Sequence, residues 1–283
     1  MDPFIVDKIK SLQDYFQDRG NIVMVFLFGS RVSQTHADSD WDIGIYFKPL
    51  SGKLEWEIKE EFSDEKDIYL DLTKILETDN VDLVVLNRCP AHLADVVVRE
   101  GHPILIKDRS LYLDFLLTIG HHAADYRMLM QDYFEIYERS SSLSQEDTIR
   151  LQKRVIFLEA ELKDFSYYKD FGFSDYQGNA HKKREIERWV ENIMNAVLDI
   201  AKIILSSHKS EIPETYRDTI EKLSKLGLAE QVIQLLVQWI QLRNILAHEY
   251  LDLRWQRIRD FLDHGEDAFS QFLEFVKKML TQE

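Results

Sequence analysis

Two stretches of the chain hold side chains whose types and spacing suit chemistry. The first is Leu27-Phe28-Gly29-Ser30-Arg31, followed after a loop by Ser39-Asp40-Trp41-Asp42. Asp40 and Asp42 stand at i and i+2, so on a strand both point to the same side. They repel one another unless a cation lies between them. A hard divalent ion, Mg²⁺ above all, takes such carboxylates together with phosphate oxygens. Gly29 lets backbone N–H groups approach a triphosphate, the Ser30 hydroxyl can bond a phosphate oxygen, and a following helix N-terminus favours anions. Asp82, on a further strand, supplies a third carboxylate to accept the proton of an attacking hydroxyl.

The second stretch is Arg243-Asn244-Ile245-Leu246-Ala247-His248-Glu249-Tyr250. On a continuous helix Arg243 and His248 point about 140° apart. They converge on one substrate only where the helix ends between them or a second subunit contributes, as in a two-fold dimer. In such a cleft the histidine moves a 2′-hydroxyl proton and the arginine neutralises the developing phosphorane, cleaving RNA without a metal.

The elements that must carry these residues follow from periodicity. Phe4, Ile5, Ile9, Leu12, Tyr15 and Phe16 predict a helix over 4–19, stopped by Gly20-Asn21. Ile22–Phe28 is a nearly continuous apolar run, suited to a strand covered on both faces. Trp41–Phe47 alternates, which predicts one buried face and one presenting the aspartates. Helix is expected over Leu54–Leu76, a third strand over Val81–Leu86, a short helix over Pro90–Arg99, an edge strand over Pro103–Lys107, and a long helix over Leu111–Arg139. The polar, serine-rich run Ser140–Asp147 reads as a linker. Beyond it only helices are expected: Leu151–Phe171, Ala180–Leu205, Pro213–Gly227, one bearing an apolar seam from Leu228 to Leu246, and Trp255–Met279. That seam, Leu228, Val232, Leu235, Trp239, Leu242 and Leu246, suits packing on neighbours or on another copy of the chain.

Composition sets the bounds. At 283 residues, 45% hydrophobic, the chain has room for two ordinary domains. No apolar run approaches a membrane span and Met1-Asp2-Pro3-Phe4 does not open like a signal peptide, so a cytoplasmic protein is expected. Cys89, the single cysteine, reads as a packing residue, and His121 and His122 as exposed or packed rather than ligating. The net charge of -15 argues against a general nucleic-acid-coating surface. Its distribution is uneven: 15 Lys and Arg face 26 Asp and Glu before residue 140, and 20 face 24 after it. Any contact with nucleic acid therefore falls to clusters in the second half, His181-Lys182-Lys183-Arg184 and Arg254, Arg257 and Arg259.

The Gly-Ser and Asp-x-Asp elements, with their strand order, resemble the nucleotidyltransferase signature of DNA polymerase beta-like enzymes, most closely the minimal (MntA-like antitoxin) group. Nine residues separate Ser30 from Asp40, one fewer than is common, and the loop lacks the glycine usual after Gly-Ser-Arg. Arg243 to Tyr250 matches the Arg-x4-His-x-Tyr motif of HEPN domains, and with the Pro213-Glu214-Thr215-Tyr216-Arg217 helix opening resembles the HepT-like ribonuclease toxins. The resemblance implies an α+β nucleotidyltransferase domain, a small mixed sheet with helices over 1–139, followed by an all-α HEPN helical bundle over 140–283. It implies ATP and Mg²⁺ as cofactors; Asp40, Asp42 and Asp82 as metal ligands, with Asp82 also catalytic; and Gly29, Ser30 and Arg31 at the nucleotide. In the second half it implies Arg243 and His248 as catalytic, Asn244 as their support, and Tyr250 as the tyrosine that receives AMP.

The expected function is a toxin–antitoxin-like fusion in which the first domain adenylylates the second and so restrains an RNase. ATP and RNA are the expected partners, with a homodimer or higher oligomer formed through the HEPN domain and neither membrane nor DNA involved. The alternative is a small-molecule transferase of the aminoglycoside type, whose helical half binds the acceptor and has no need of Arg243 or His248.

Overall fold

The computed structural model describes residues 3–33, 39–49, 54–139, 142–246 and 254–281. The chain divides into two compact units, Met1–Arg127 and Met128–Glu283.

In the first unit, helix α1 (Pro3–Gln17) buries Ile5, Leu12 and Phe16. Strands β1 (Ile22–Phe28) and β2 (Trp41–Phe47) pair antiparallel, and β3 (Val81–Val85) joins β2 in parallel. With β4 (His102–Ile106) on the other side of β1, the sheet order is β3-β2-β1-β4. The short helix α2 (Ser30–Ser33) follows the Gly29 turn. Helices α1 and α3 (Glu65–Leu76) contribute to the core on one face of this mixed sheet. Helix α4 (Ala91–Glu100) and the first turns of α5 (Arg109–Arg139) pack with the other face.

Because both faces are covered, β2 departs from the expected alternation. Gly44 and Tyr46 are buried as fully as Ile43 and Ile45. A side chain at Gly44 would meet Val97 Cγ1 at 2.8 Å, so glycine here lets α4 lie close on the sheet. The Tyr46 hydroxyl donates to the Glu55 carbonyl at 2.8 Å and accepts from the Glu55 N–H at 3.0 Å. Asp42 alone among the residues on that side of β2 keeps a half-exposed position.

The helix expected over Leu54–Leu76 forms only from Glu65 onward. Residues 54–64 have other uses for their backbone groups, with Ile58 N–H bonded to the Asn87 carbonyl at 3.1 Å and Glu57 at a φ of 50°. A helix there would also stack Glu57 one turn from Glu61, a repulsive pair.

Every regular element among the described residues of the second unit is a helix. From Ser144 onward the predicted linker is a helix start, while its first two residues lie outside the described residues. Ser144 caps α6 (Gln145–Leu162) by accepting from the Asp147 N–H at 3.1 Å, and Asp147 is buried against Arg139 at 2.9 Å. The helix expected to run to Phe171 ends at Leu162, and a short α7 (Phe165–Tyr168) tucks Phe165 against Trp189, Phe261 and Phe269. Then come α8 (Phe173–Gly178), the long α9 (Ala180–Ser207) and α10 (Tyr216–Glu221) with a 3₁₀ turn to Leu226. Helices α11 (Glu230–Leu246) and α12 (Arg254–Thr281) complete the unit.

Most of the apolar seam is buried within the second unit, with Leu235 half-buried and the Leu246 side chain outside the described residues. Val232, Trp239 and Leu242 are buried, and Trp239 sits between Phe261 and Phe269 of α12 while its indole N–H bonds Asp260 at 3.1 Å. Ile233, Leu236 and Ile240, outside the seam, are equally buried, so α11 buries a face wider than the seam and leaves Gln231, Gln234 and Gln238 exposed.

Candidate functional site

The carboxylates of the first unit meet at the rim where β1 ends and β2 and β3 begin. Asp42 lies opposite Phe28 in the β1–β2 register and opposite Asp82 in the β2–β3 register. Gly29, the first residue beyond β1, has a φ of 74°, which disfavours any L side chain. A Cβ built there would fall 1.9 Å from Asp42 Oδ2. The turn therefore needs glycine twice, for its backbone and for the carboxylate lying over it. Ser30 is exposed at the start of α2, Asp40 is exposed just before β2, and Asp82 is exposed on β3.

Burial pushes the Asp42 carboxyl above its ordinary pKa, the negative charges of Asp82 and Asp40 push it further, and Arg31 opposes them. Burial and neighbouring like charges both disfavour the ionised form. The donors are all oxygen, which fits a hard cation that takes two carboxylates and completes its shell with water and phosphate oxygens. Among the described residues no three His, Cys, Asp or Glu side chains are close enough to hold a metal unaided.

Arg31 is buried, with its guanidinium 4.4 Å from the Trp41 ring centroid and its Nε donating to the Asp40 carbonyl at 3.2 Å. It thus ties α2 to the start of β2 across the loop between them, and Trp41 is a residue of the site that sequence reasoning assigned only to the core. Cys89 is buried, its thiol pushed up to about 12 chiefly by that burial. His122 is buried and stacked on Trp56 at 4.3 Å, and His121 is exposed beside Asp125.

In the second unit Arg243 is half-buried on the last turns of α11. Its Nε donates to Asn195 Oδ1 at 3.0 Å, and its guanidinium lies 5.0 Å from the Tyr216 ring centroid. Asn195 of α9 and Tyr216 of α10 thus fix the guanidinium from two sides. Asn195 has a sequence signal: it is a lone amide within the apolar stretch from Ile193 to Leu198 of α9. Asn244 lies on α11, and its side chain, like His248 and Tyr250, lies outside the described residues.

A mixed sheet with two strand aspartates beside a Gly-Ser turn is the arrangement expected of a nucleotidyltransferase, and it precedes a helical bundle. Residues 10–110 match the family described as "Polymerase beta, Nucleotidyltransferase", and residues 158–276 match "Ribonuclease HepT-like". The first match falls within the first compact unit and the second within the second. Over 89 residues it is 28% identical to the mRNA nuclease HepT of Shewanella oneidensis, covering 31% of this chain and 67% of that protein. Similar solved structures include a toxin–antitoxin MntA–HpeT mutant, with TM-score 0.41 and 20% identity over 45% of this chain and 97% of that one. Another is the tri-AMPylated Shewanella oneidensis HEPN toxin in complex with MNT antitoxin, with TM-score 0.32 and 18% identity over 44% and 94% of the two chains. Among the described residues no helix is long and apolar enough to cross a membrane.

Proposed function

We propose that the first half transfers AMP from ATP to Tyr250 and so restrains a metal-independent RNase in which Arg243 and His248 are catalytic. The observation that carries this reading is the gathering of Asp42, Asp82 and Gly29 at one sheet rim, in a chain that continues into a HepT-like domain.

Asp42 and Asp82, with Asp40 beside them, would hold Mg²⁺, which when bound neutralises the triphosphate and polarises its α-phosphorus for attack. The chain's own residues supply the rest. Gly29 and Ser30 present backbone and hydroxyl donors to the phosphates, and Arg31 keeps Asp40 in place. Asp82 accepts the proton of the tyrosine hydroxyl as its oxygen bonds the α-phosphorus and pyrophosphate leaves.

In the second half, Arg243 is held by Asn195 and Tyr216 to face a phosphodiester, His248 moves the 2′-hydroxyl proton, and Asn244 supports them. A homodimer formed through the helical half would bring two such pairs together. AMP on Tyr250 adds negative charge and bulk two residues from His248 and repels RNA phosphate from that cleft. Covalent linkage keeps restraint beside nuclease at high effective concentration. The relative's name, mRNA nuclease, supports RNA as the substrate. The test is AMP incorporation from labelled ATP into the full chain and its Tyr250→Phe variant: incorporation should vanish in the variant, and equal labelling of both proteins would overturn the proposal.

A further inference from the structure

The end of the helical unit where α9 and α12 begin carries a surface that the proposed reactions leave unused. Trp255, in the first turn of α12, has its ring centroid 5.3 Å from Tyr176, 6.1 Å from Phe171 and 6.2 Å from Phe173. Phe171 and Tyr176 are buried and Trp255 is half-buried, but Phe173 is 52% exposed. Cations border the rings: Lys182 Nζ lies 5.9 Å from the Phe171 centroid and Lys183 Nζ 5.3 Å from the Tyr176 centroid.

The electrostatics here run against helix stability. The positive end of a helix macrodipole favours acids in the first turn. Helices α9 and α12, 28 residues each, have none there. They begin instead with His181, Lys182, Lys183 and Arg184 and with Arg254 and Arg257. Lys182 is paired with Asp175 at 2.9 Å, and Arg259 with Asp263. Among the described residues no carboxylate pairs with Lys183, Arg184 or Arg257. Arg257 is half-buried, and desolvation holds its guanidinium below the ordinary value. In a chain of net charge -15, this concentration of cations on two positive helix ends is complementary to a polyanion.

An exposed ring set in an aromatic cluster bordered by cations suits a single-stranded nucleic acid, because bases stack on rings while Lys and Arg track phosphates. Trp255 also follows Tyr250 by five residues and His248 by seven, so the surface is close along the sequence to the proposed nuclease residues. We infer that Phe173 and Trp255, with Lys182, Lys183 and Arg184, form a base-stacking platform that holds single-stranded RNA on the helical unit. The inference rests on the reading of the helical half as an RNase.

The test is fluorescence anisotropy with a labelled 12-nucleotide 2′-O-methyl RNA, which a 2′-hydroxyl mechanism cannot cut. It uses the full chain carrying Asp42→Asn, so that no AMP occupies the cleft. Further variants are Phe173→Ala, which removes a largely exposed ring at little cost to folding, and Lys183→Gln. Phe173→Ala should weaken binding about 5- to 100-fold, the cost of roughly one stacked base. Lys183→Gln should weaken it and flatten its dependence on salt. Tight binding by the parent that neither substitution changes would overturn the platform and leave the RNase reading standing. No RNA binding by the parent would overturn both.

Discussion

Gly29 and Asp42 are mutually dependent: a Cβ at residue 29 would sit 1.9 Å from Asp42 Oδ2, and the backbone there has a φ of 74°. Gly29→Ala must therefore push the carboxylate aside and also pay the left-handed penalty, about 1–2 kcal/mol. The expected result is a folded but less stable protein whose AMP transfer falls by two orders of magnitude or more. Unfolding in denaturant and a labelled-ATP assay measure the two effects. An active Gly29→Ala protein would show that Asp42 does not act from this position.

Asp42 also links function to pH. Its folded pKa lies above its ordinary value, so its ionisation is disfavoured by folding. Its contribution to stability is fully present below the unfolded pKa and is lost as pH rises through the folded one. Asp42→Asn should therefore unfold at a higher temperature than wild type at pH 7 to 8, with the difference closing towards pH 3. Mg²⁺ should stabilise wild type and not the variant. Thermal unfolding across pH, with and without Mg²⁺, measures both.

Arg31 is a positioning residue in this account. Stacked on Trp41 and bonded to the Asp40 carbonyl, it should contribute about 1–3 kcal/mol through a charged hydrogen bond and cation–π contact. Arg31→Lys keeps the charge but loses the flat stack and the Nε bond. It should lower stability and kcat together while leaving KM for ATP within about threefold. A large rise in KM alone would assign Arg31 to the nucleotide instead.

Asn195→Ala frees the Arg243 guanidinium on one side. RNA cleavage by unmodified protein should fall about tenfold or more, since a small misplacement of a catalytic group is costly, while AMP transfer by the first half stays unchanged. Tyr216→Leu should act in the same direction. Single-turnover cleavage assays beside the labelling assay separate the two activities.

Much of this architecture is legible in the residues. β1 and β2 have the predicted limits because apolar runs between glycine and polar turns leave little choice. Three features escaped for identifiable physical reasons. Tyr46 and Gly44 look solvent-facing in an alternating strand, and only α4 and α5 packing with that face bury them. Residues 54–64 have helix-like composition, but long-range bonds to Asn87 and Tyr46 claim their backbone. Asn195 and Tyr216 reach Arg243 from 48 and 27 positions away, a proximity that local spacing does not encode. The Gly-Ser and Asp-x-Asp elements were readable because their geometry is local to one turn and one strand.

The most direct test is the intact mass of the full chain before and after incubation with ATP and Mg²⁺, beside an Asp40→Ala/Asp42→Ala variant. The account predicts added mass in whole AMP units, mapped to Tyr250 and absent from the variant. Mass unchanged in the wild type, with Tyr250 found unmodified beforehand, would contradict self-adenylylation.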